Sequence, residues 1–391
     1  MSSELDDAIT RGVCAGRWDV AWLAIGSFAM AGDLLVVAAI LPEIAADFGV
    51  TVASASALIA VHAVAVALAA PAAAFVLRTL TLRVSLIVAI AVFVAGNILV
   101  VVVSGLEVAL IGRALSGAAT ALYMVATYRF IAVFSTPQSR PKSLSLLQTG
   151  VAFATVSAAP VGAWMAHISD WRIAIAITTV PAFVAFAALR NPAVTGILSP
   201  GPGQRKALVR APVPAILISS FLARFVYYSC YAFVASIYGG VGPQRLPVVL
   251  AALGTASVLG NWVAALLMRR WSPFTVGVVG LTGLACTVGV LPFVGGSLAG
   301  AMVSATCWGL FGWMIGLAQI EALFSTGDAD PSFLGGVSYT VTALGTAAGG
   351  LIAGMCFAAS GVRGLSLMAA AASLAGAVIL GTASSRKGYR R

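Results

Sequence analysis

Four ionisable side chains lie inside long apolar stretches of this sequence, where a charge is costly and usually serves a function. Asp33 lies roughly 13 Å before Pro42 along a helix, and we place Arg113 at a similar depth in another stretch. These two side chains are therefore predicted to form an ion pair. A carboxyl group beside a cation in a low-dielectric cavity can change its protonation as its access to water changes. We expect Asp33 to carry a proton and Arg113 to control its release; the alternative is a purely structural pair of little net stability.

Two further ionisable residues lie near the middle of their stretches. His62 fits a second proton site or a substrate contact, and a hydrogen-bonded structural histidine fits equally. Arg224 is followed at helical spacing by Tyr227, Tyr228 and Tyr231. An arginine with three tyrosines could bind an anionic or aromatic substrate, although helix packing explains the stripe as well. If Asp33 pairs elsewhere, Arg224 lacks an acidic partner, which favours neutral, zwitterionic or anionic substrates.

Polar and aromatic residues elsewhere in the apolar stretches extend the predicted substrate site. They are Asn97, Asn261, Trp308 and Trp313. Interhelical hydrogen bonds would also explain the asparagines, and packing would explain the tryptophans. Glycines at helical spacing of four predict close helix packing, at Gly312/Gly316, Gly345/Gly349 and Gly350/Gly354.

The sequence predicts no catalytic, metal or cofactor site. Five cysteines show no CxxC spacing, so neither a zinc site nor a disulfide framework is indicated. A membrane-embedded enzyme would need a cluster of catalytic groups or metal ligands. Two histidines and one carboxylate at membrane depth do not supply one.

Composition predicts an all-α membrane protein. Apolar residues make up 61% of the 391 residues and charged residues 9%, against about 25% charged in soluble domains. The apolar stretches are long enough to cross a bilayer as helices. In a helix the backbone N–H and C=O groups form hydrogen bonds with one another, as they must where lipid excludes water. We predict twelve spans, at residues 18–41, 52–77, 84–104, 108–134, 143–167, 172–190, 213–238, 247–268, 274–294, 297–321, 333–359 and 363–383.

The distribution of basic residues predicts the topology. With the N-terminus in the cytoplasm, nearly all loop Lys and Arg residues fall on the cytoplasmic side, leaving Arg172, Arg245 and Arg363 outside. The net charge of +10 is thus a topology signal rather than a sign of nucleic-acid binding. We divide the chain into a cytoplasmic tail, a six-helix bundle, a Pro- and Gly-rich cytoplasmic linker, a second six-helix bundle and a basic cytoplasmic tail, at residues 1–17, 18–190, 191–212, 213–383 and 384–391.

Several ordered segments resemble the twelve-span drug:proton antiporter group of the major facilitator superfamily. They are GDLLVVAAILPEIAADFGVT around Asp33, VFVAGNILVVVV, GRALSGAATALY with Arg113 and Gly117, and TGVAFATVSAAPVGAW with Pro160 and Gly162. The resemblance implies the major facilitator fold, in which two six-helix bundles rock about a central cavity. It also implies proton transfer at Arg113, and the segment around Pro160 is associated with exporters.

The sequence departs from the family pattern in one loop and at two further positions. The loop after the second span reads AAFVLRTLTLR, in which Arg78 fits but Leu77 and Leu80 replace the acidic residue and the glycine of a conformational latch. Ala159 stands where a glycine is usual, and His62 where a tyrosine is frequent. The altered loop bears on gating rather than on the fold, and the altered exporter segment keeps a facilitator or importer open.

Together these features predict a proton-coupled exporter of a small molecule, such as a drug, antibiotic, sugar or amino-acid-like metabolite. A facilitator or proton-symport importer on the same fold is the alternative, and a membrane enzyme or a non-transporting sensor is more remote. The expected partners are the substrate, protons and the lipid bilayer. We expect a monomeric multi-pass protein of the bacterial inner membrane with both termini in the cytoplasm.

Overall fold

The computed structural model describes residues 17–55, 57–102, 105–136, 138–185, 208, 212–242, 244–326 and 331–386. Within these ranges the chain forms α-helices and no strands. The helices are α1 Arg17–Ala39, α2 Leu41–Asp47, α3 Val52–Ala55, α4 Ala57–Thr79, α5 Leu82–Val102, α6 Leu106–Phe134, α7 Arg140–Ile168, α8 Trp171–Val184, α9 Val213–Tyr231, α10 Val234–Ile237, α11 Leu246–Leu267, α12 Pro273–Val294, α13 Leu298–Phe324 and α14 Pro331–Arg386.

The predicted all-α membrane architecture is confirmed. In the described part of the chain, nine helices are long and apolar enough to cross a membrane. Each predicted span coincides with one of the longer helices, and α14 covers the last two. Most of the predicted N-terminal tail and linker, and residues 387–391 of the C-terminal tail, lie outside the described residues.

Two predicted spans end earlier than expected. The first helix ends at Ala39, and α2 begins two residues later with Pro42 in its first turn. Proline has no backbone N–H to donate, so it fits the start of a helix better than its interior. The span predicted to run to residue 238 ends at Tyr231, and the chain continues through the short α10 and a 3₁₀ turn at Gly239–Val241.

The described residues form two compact units. One comprises those within Met1–Gly201 and Pro331–Gly336, and the other those within Pro202–Asp330 and Val337–Arg391. In the first unit α1 packs along α7 and α8, and α6 packs along α4 and α5. Helices α5 and α6 approach each other closely where both carry glycine. A Cβ atom at Gly96 would stand only 2.6 Å from the carbonyl oxygen of Gly112, so a larger residue would not fit without a shift.

In the second unit α13 is the central helix, packed by α9, α11 and α12. Small residues set the closest approach, since a Cβ atom at Gly309 would meet the carbonyl oxygen of Leu253 and stand 3.0 Å from the Ser257 nitrogen. On α14, Gly345 and Gly349 lie against the backbone of α9. The packing predicted for that glycine pair is therefore confirmed. By contrast, a Cβ atom at Gly350 or Gly354 would have no described neighbour within 4 Å.

The two halves of α14 form a helical hairpin around Gly361. This residue has a φ of 62° and a ψ of −156°, a backbone conformation that side chains with a Cβ atom rarely adopt. On one side of it, Gly345 lies against Phe221, and on the other side Gly376 lies against Leu222. In a continuous straight helix Gly345 and Gly376 would be too far apart to contact adjacent residues of α9. The chain must therefore reverse direction between them, at Gly361.

We predict that Gly309→Ala destabilises the second unit, whereas Gly350→Ala does not. An added methyl at position 309 would overlap the backbone of α11, and overpacking of this kind costs about 1–3 kcal/mol. At position 350 the methyl would meet open space. Thermal unfolding of the two variants in detergent tests this: a several-degree drop is expected only for Gly309→Ala. Equal melting temperatures would contradict the close α11–α13 contact.

Candidate functional site

Three helices of the first unit bring the predicted proton-carrying residues together. Asp33 on α1, His62 on α4 and Arg113 on α6 are 1%, 2% and 0% exposed. Gly117, one turn after Arg113, allows α4 to approach closely, because a Cβ atom there would overlap the His62 carbonyl oxygen. The small residue thereby sets the position of His62 beside the charged pair.

The Arg113 guanidinium holds Asp33 through one of its nitrogens. Its Nη1 donates to Oδ2 of Asp33 at 2.5 Å, and its Nε donates to the Leu58 carbonyl oxygen at 3.3 Å. Oδ1 of Asp33 and Nη2 of Arg113 have no hydrogen-bond partner in the described part of the chain. The pair is thus charge-compensated but not fully hydrogen-bonded within the described residues.

His62 adds a second titratable group to the pair. Its Nδ1 lies 3.7 Å from Oδ2 of Asp33 and 3.2 Å from the Ser116 hydroxyl oxygen. The Ser116 hydroxyl donates to the Arg113 carbonyl oxygen at 3.1 Å. Because a hydroxyl has a single proton to donate, Nδ1 of His62 is the donor to Ser116 in this arrangement. Ser116 was not among the residues predicted from the sequence, although its position three residues after Arg113 places both on one helical face.

An apolar cluster closes one side of this site. Val36, Ile40 and Leu58 belong to it, and all three are fully buried. Gly162 of α7 packs against Val36, where a Cβ atom would stand 3.0 Å from the Cγ1 atom. Such surroundings lower the local dielectric constant, which strengthens the attraction between Asp33 and Arg113 and raises the cost of leaving either charge alone.

The second unit holds the predicted arginine–tyrosine stripe on α9. The Cζ atom of Arg224 lies 5.4 Å from the ring centroid of Trp313 on α13. The indole Nε1 of Trp313 donates to the Tyr227 hydroxyl at 3.2 Å. Tyr227 also contacts three rings, namely Tyr228, Tyr231 and Trp308, at centroid distances of 5.3, 6.2 and 5.8 Å. Five of the predicted substrate-site aromatics therefore form one connected group beside Arg224.

The two predicted asparagines are both buried but differ in their contacts. Asn97 of α5 donates from Nδ2 to the Thr179 hydroxyl of α8 at 3.0 Å, which is the interhelical bond considered from the sequence. Both side-chain polar atoms of Asn261 on α11 have no partner within the described residues. Neither residue contacts the Asp33 or Arg224 groups through a described hydrogen bond, so a substrate role for them stays a prediction.

Two residues with predicted conformational roles lie within helices, but their side chains are outside the described part of the structure. Arg78 belongs to α4 and Pro160 to α7, which continues as helix on both sides of it. No group of three or more His, Cys, Asp or Glu side chains suited to a metal ion occurs among the described residues.

An ion-pair cluster that was not predicted from the sequence lies at the start of α8. Arg172 donates to Oδ2 of Asp47 at 2.7 Å and to the Val101 carbonyl oxygen at 2.9 Å, and it lies over the Trp171 ring. It joins α2, α5 and α8 at one end of the first unit. The residues are partly exposed, so the contact contributes little to stability by itself.

The fold is similar to that of a solved transporter. The crystal structure of a fucose:proton symporter, FucP of Escherichia coli, matches 93% of this chain and 98% of its own with a TM-score of 0.74 and 14% sequence identity. At this level of identity the likeness concerns the fold alone.

Three curated relatives resemble the chain in sequence. The transcription regulatory protein OpdE of Pseudomonas aeruginosa is 28% identical, covering 96% of both chains. A chloramphenicol resistance protein of Streptomyces lividans is 26% identical over 66% of this chain and 68% of its own. The purine ribonucleoside efflux pump NepI of Escherichia coli is 24% identical over 74% of this chain and 76% of its own.

The family model of the Major Facilitator Superfamily matches residues 23–330. That range contains both the Asp33 group and the Arg224 group. The matched length and the helical architecture agree, and members of this family are transporters rather than enzymes. The chain belongs to the Major Facilitator Superfamily.

Proposed function

We propose that this transporter exports a small molecule in exchange for protons, with Asp33 as the proton carrier. The observation that carries the proposal is a fully buried carboxylate held by Arg113, with one oxygen unpartnered among the described residues and His62 within 3.7 Å. A buried ion pair is weak evidence for a stabilising role. An intramembrane ionisable group is a functional-site hypothesis by default.

The chemistry follows from the balance of charges at the site. With Asp33 ionised, its attraction to Arg113 holds α1 to α6. When a proton binds the carboxylate, that attraction falls, and the Leu58 carbonyl oxygen is the other hydrogen-bond acceptor that the described residues offer to the Arg113 guanidinium. His62 lies beside the carboxylate and bonds Ser116 through Nδ1. Protonation therefore changes which helices are held together, and a transporter can use this to couple the proton to a conformational change.

Outward transport is supported by the names of two relatives. One is a chloramphenicol resistance protein and one is an efflux pump for purine ribonucleosides. Their compounds have little in common, so they favour efflux of a small molecule without indicating which one. The segment around Pro160 and Gly162, which resembles the exporter motif, points the same way.

Two observations favour other functions on the same fold. Ala159 replaces a glycine of the exporter segment, which favours a facilitator or importer. The name of OpdE, a transcription regulatory protein, favours a non-transporting sensor. A facilitator moves substrate without a proton gradient, and a sensor moves none, so transport measurements separate all three functions.

The proposed setting is the bacterial inner membrane. We place both termini in the cytoplasm because this orientation leaves few basic residues in the outer loops. The protein acts as a monomer with a small-molecule substrate, protons and the lipid bilayer as its partners, and it does not bind nucleic acid.

We expect Asp33→Asn to abolish the proton dependence of transport. Asparagine keeps the size of the side chain but cannot release a proton at neutral pH. The measurement is uptake into inside-out vesicles of a panel of antibiotics, nucleosides, sugars and amino acids, with and without an imposed pH gradient. The matched control is Asp47→Asn, which removes a partly exposed carboxylate that also binds an arginine, and it should keep the gradient-dependent rate.

Three results would contradict the proposal. Equal transport by the unmutated protein with and without the gradient would indicate a facilitator. Gradient-dependent transport that survives Asp33→Asn would remove Asp33 as the proton carrier. No transport of any class of compound, with the protein folded and inserted, would favour the sensor.

The stability of single and double variants shows how strongly the pair is coupled. Asp33→Asn leaves the Arg113 charge buried without compensation, which should destabilise the protein by about 3–5 kcal/mol. Adding Arg113→Gln removes the orphaned charge and should recover most of this loss. Asp47→Asn should cost about 0–1 kcal/mol, since its pair is partly exposed. Unfolding in detergent tests the series, and additive effects of the two substitutions would show that the charges do not interact.

A further inference from the structure

Arg224 is a cation in the middle of a membrane-spanning helix without a described counter-charge. It lies roughly 16 Å from the start of α9, a helix about 28 Å long. Among the described residues, no carboxylate oxygen lies within 4.0 Å of its guanidinium and no hydrogen bond involves it. Glu321, the acidic residue of the neighbouring α13, is not paired with it. Hydrocarbon does not solvate a charge, so a guanidinium at this depth needs water or an anion beside it.

Two glycines of α13 make room for the side chains of α9. A Cβ atom at Gly316 would stand 2.9 Å from Nη2 of Arg224, and one at Gly312 would stand 2.5 Å from Cδ2 of Tyr227. From the sequence this pair predicted close helix packing. In the structure the two glycines leave space for the Arg224 guanidinium and the Tyr227 ring, which pack against them.

The aromatic group beside Arg224 is buried on one side and partly exposed on the other. Trp313 and Tyr227 are 1% and 3% exposed and are joined by a hydrogen bond. Tyr228 and Tyr231 are half-buried. Within the described structure their hydroxyl groups donate and accept no hydrogen bond. Two partly open rings with free hydroxyls thus lie within about two helical turns of an unpaired cation.

We propose that Arg224, Tyr228 and Tyr231 recognise an organic monoanion with an aromatic ring, in particular an aromatic carboxylate. The guanidinium matches the two oxygens of a carboxylate, forming paired charge-assisted hydrogen bonds. The tyrosine rings supply faces and edges for a flat apolar group. A single positive charge balances a monoanion, whereas a dianion or a cation would leave an uncompensated charge. The inference rests on the proposed transport function, since it names the substrate class of the same protein.

Equilibrium binding to the purified full-length protein in nanodiscs tests the site directly. The probes are benzoate, 2-naphthoate and indole-3-acetate, each compared with its neutral amide, and cyclohexanecarboxylate as a ring without π electrons. Isothermal titration calorimetry should show that at least one aromatic carboxylate binds roughly 10-fold or more tightly than its amide, the size of one lost charge-assisted contact. It should also bind more tightly than cyclohexanecarboxylate, which keeps the charge but lacks an aromatic face.

Substitutions then assign that preference to Arg224. Arg224→Ala should weaken binding of the carboxylate to the level of the amide, and Arg224→Lys should keep part of the preference. Gly316→Ala should weaken it several-fold, because the methyl displaces the guanidinium while the charge remains. Arg269→Ala removes an exposed arginine outside the site and should leave binding unchanged. Circular dichroism and size-exclusion profiles exclude misfolding as the cause of any loss.

Several outcomes would overturn the proposal. They are failure of all three carboxylates to bind up to their solubility limits, equal binding of acids and amides, and an acid preference that survives Arg224→Ala. The assay uses no proton gradient, so its result is separate from the test of proton-coupled export. Arg224-dependent binding with gradient-independent transport would keep the site and make the protein a facilitator. Gradient-dependent transport of neutral compounds alone would keep the coupling and remove the site.

Discussion

A charged group inside a bilayer has no water to solvate it, and this constraint organises both units of the molecule. Each unit holds a basic side chain within its membrane-spanning helices, and each supplies that side chain with a different kind of neighbour. Glycines allow close contacts at both sites, since Gly117 lies against His62 and Gly316 lies against Arg224. The close helix contacts and the polar sites are therefore two aspects of one arrangement.

The two units treat their arginines differently. Arg113 is fully buried, bound to Asp33 and to a backbone carbonyl, and its surroundings are apolar. Arg224 is half-buried over the face of Trp313 and has no carboxylate within 4.0 Å in the described structure. A paired charge responds to protons, since neutralising its partner changes the balance of forces. An unpaired charge responds to anions, since an anion is what it lacks. This difference fits a division between coupling and recognition.

The sequence predicted the fold well because hydropathy and the length of apolar stretches depend on the bilayer itself. It also indicated that Asp33 and Arg113 could meet, since their depths agreed. Depth along a helix says nothing about rotation around it, so the link from His62 to Ser116 and the seat that Gly316 provides for Arg224 required coordinates. Asn97 shows the same limit, because an asparagine that bonds Thr179 across two helices has the same sequence signature as one that faces a substrate. The end of the span at Tyr231 was missed because the following residues remain apolar and carry no charge to mark a boundary.

The hairpin at Gly361 has a consequence for how the chain enters the membrane. The two helices of α14 meet at a reversal centred on one residue, so they share almost no connecting segment. In the proposed topology this turn faces outward, and Arg363 is its sole charged residue. Biosynthesis therefore has little polar chain to translocate at this point, and burying the two apolar helices can offset the transfer of a single charge. The last two spans are suited to insert together as one preassembled element after the rest of the second unit has been made.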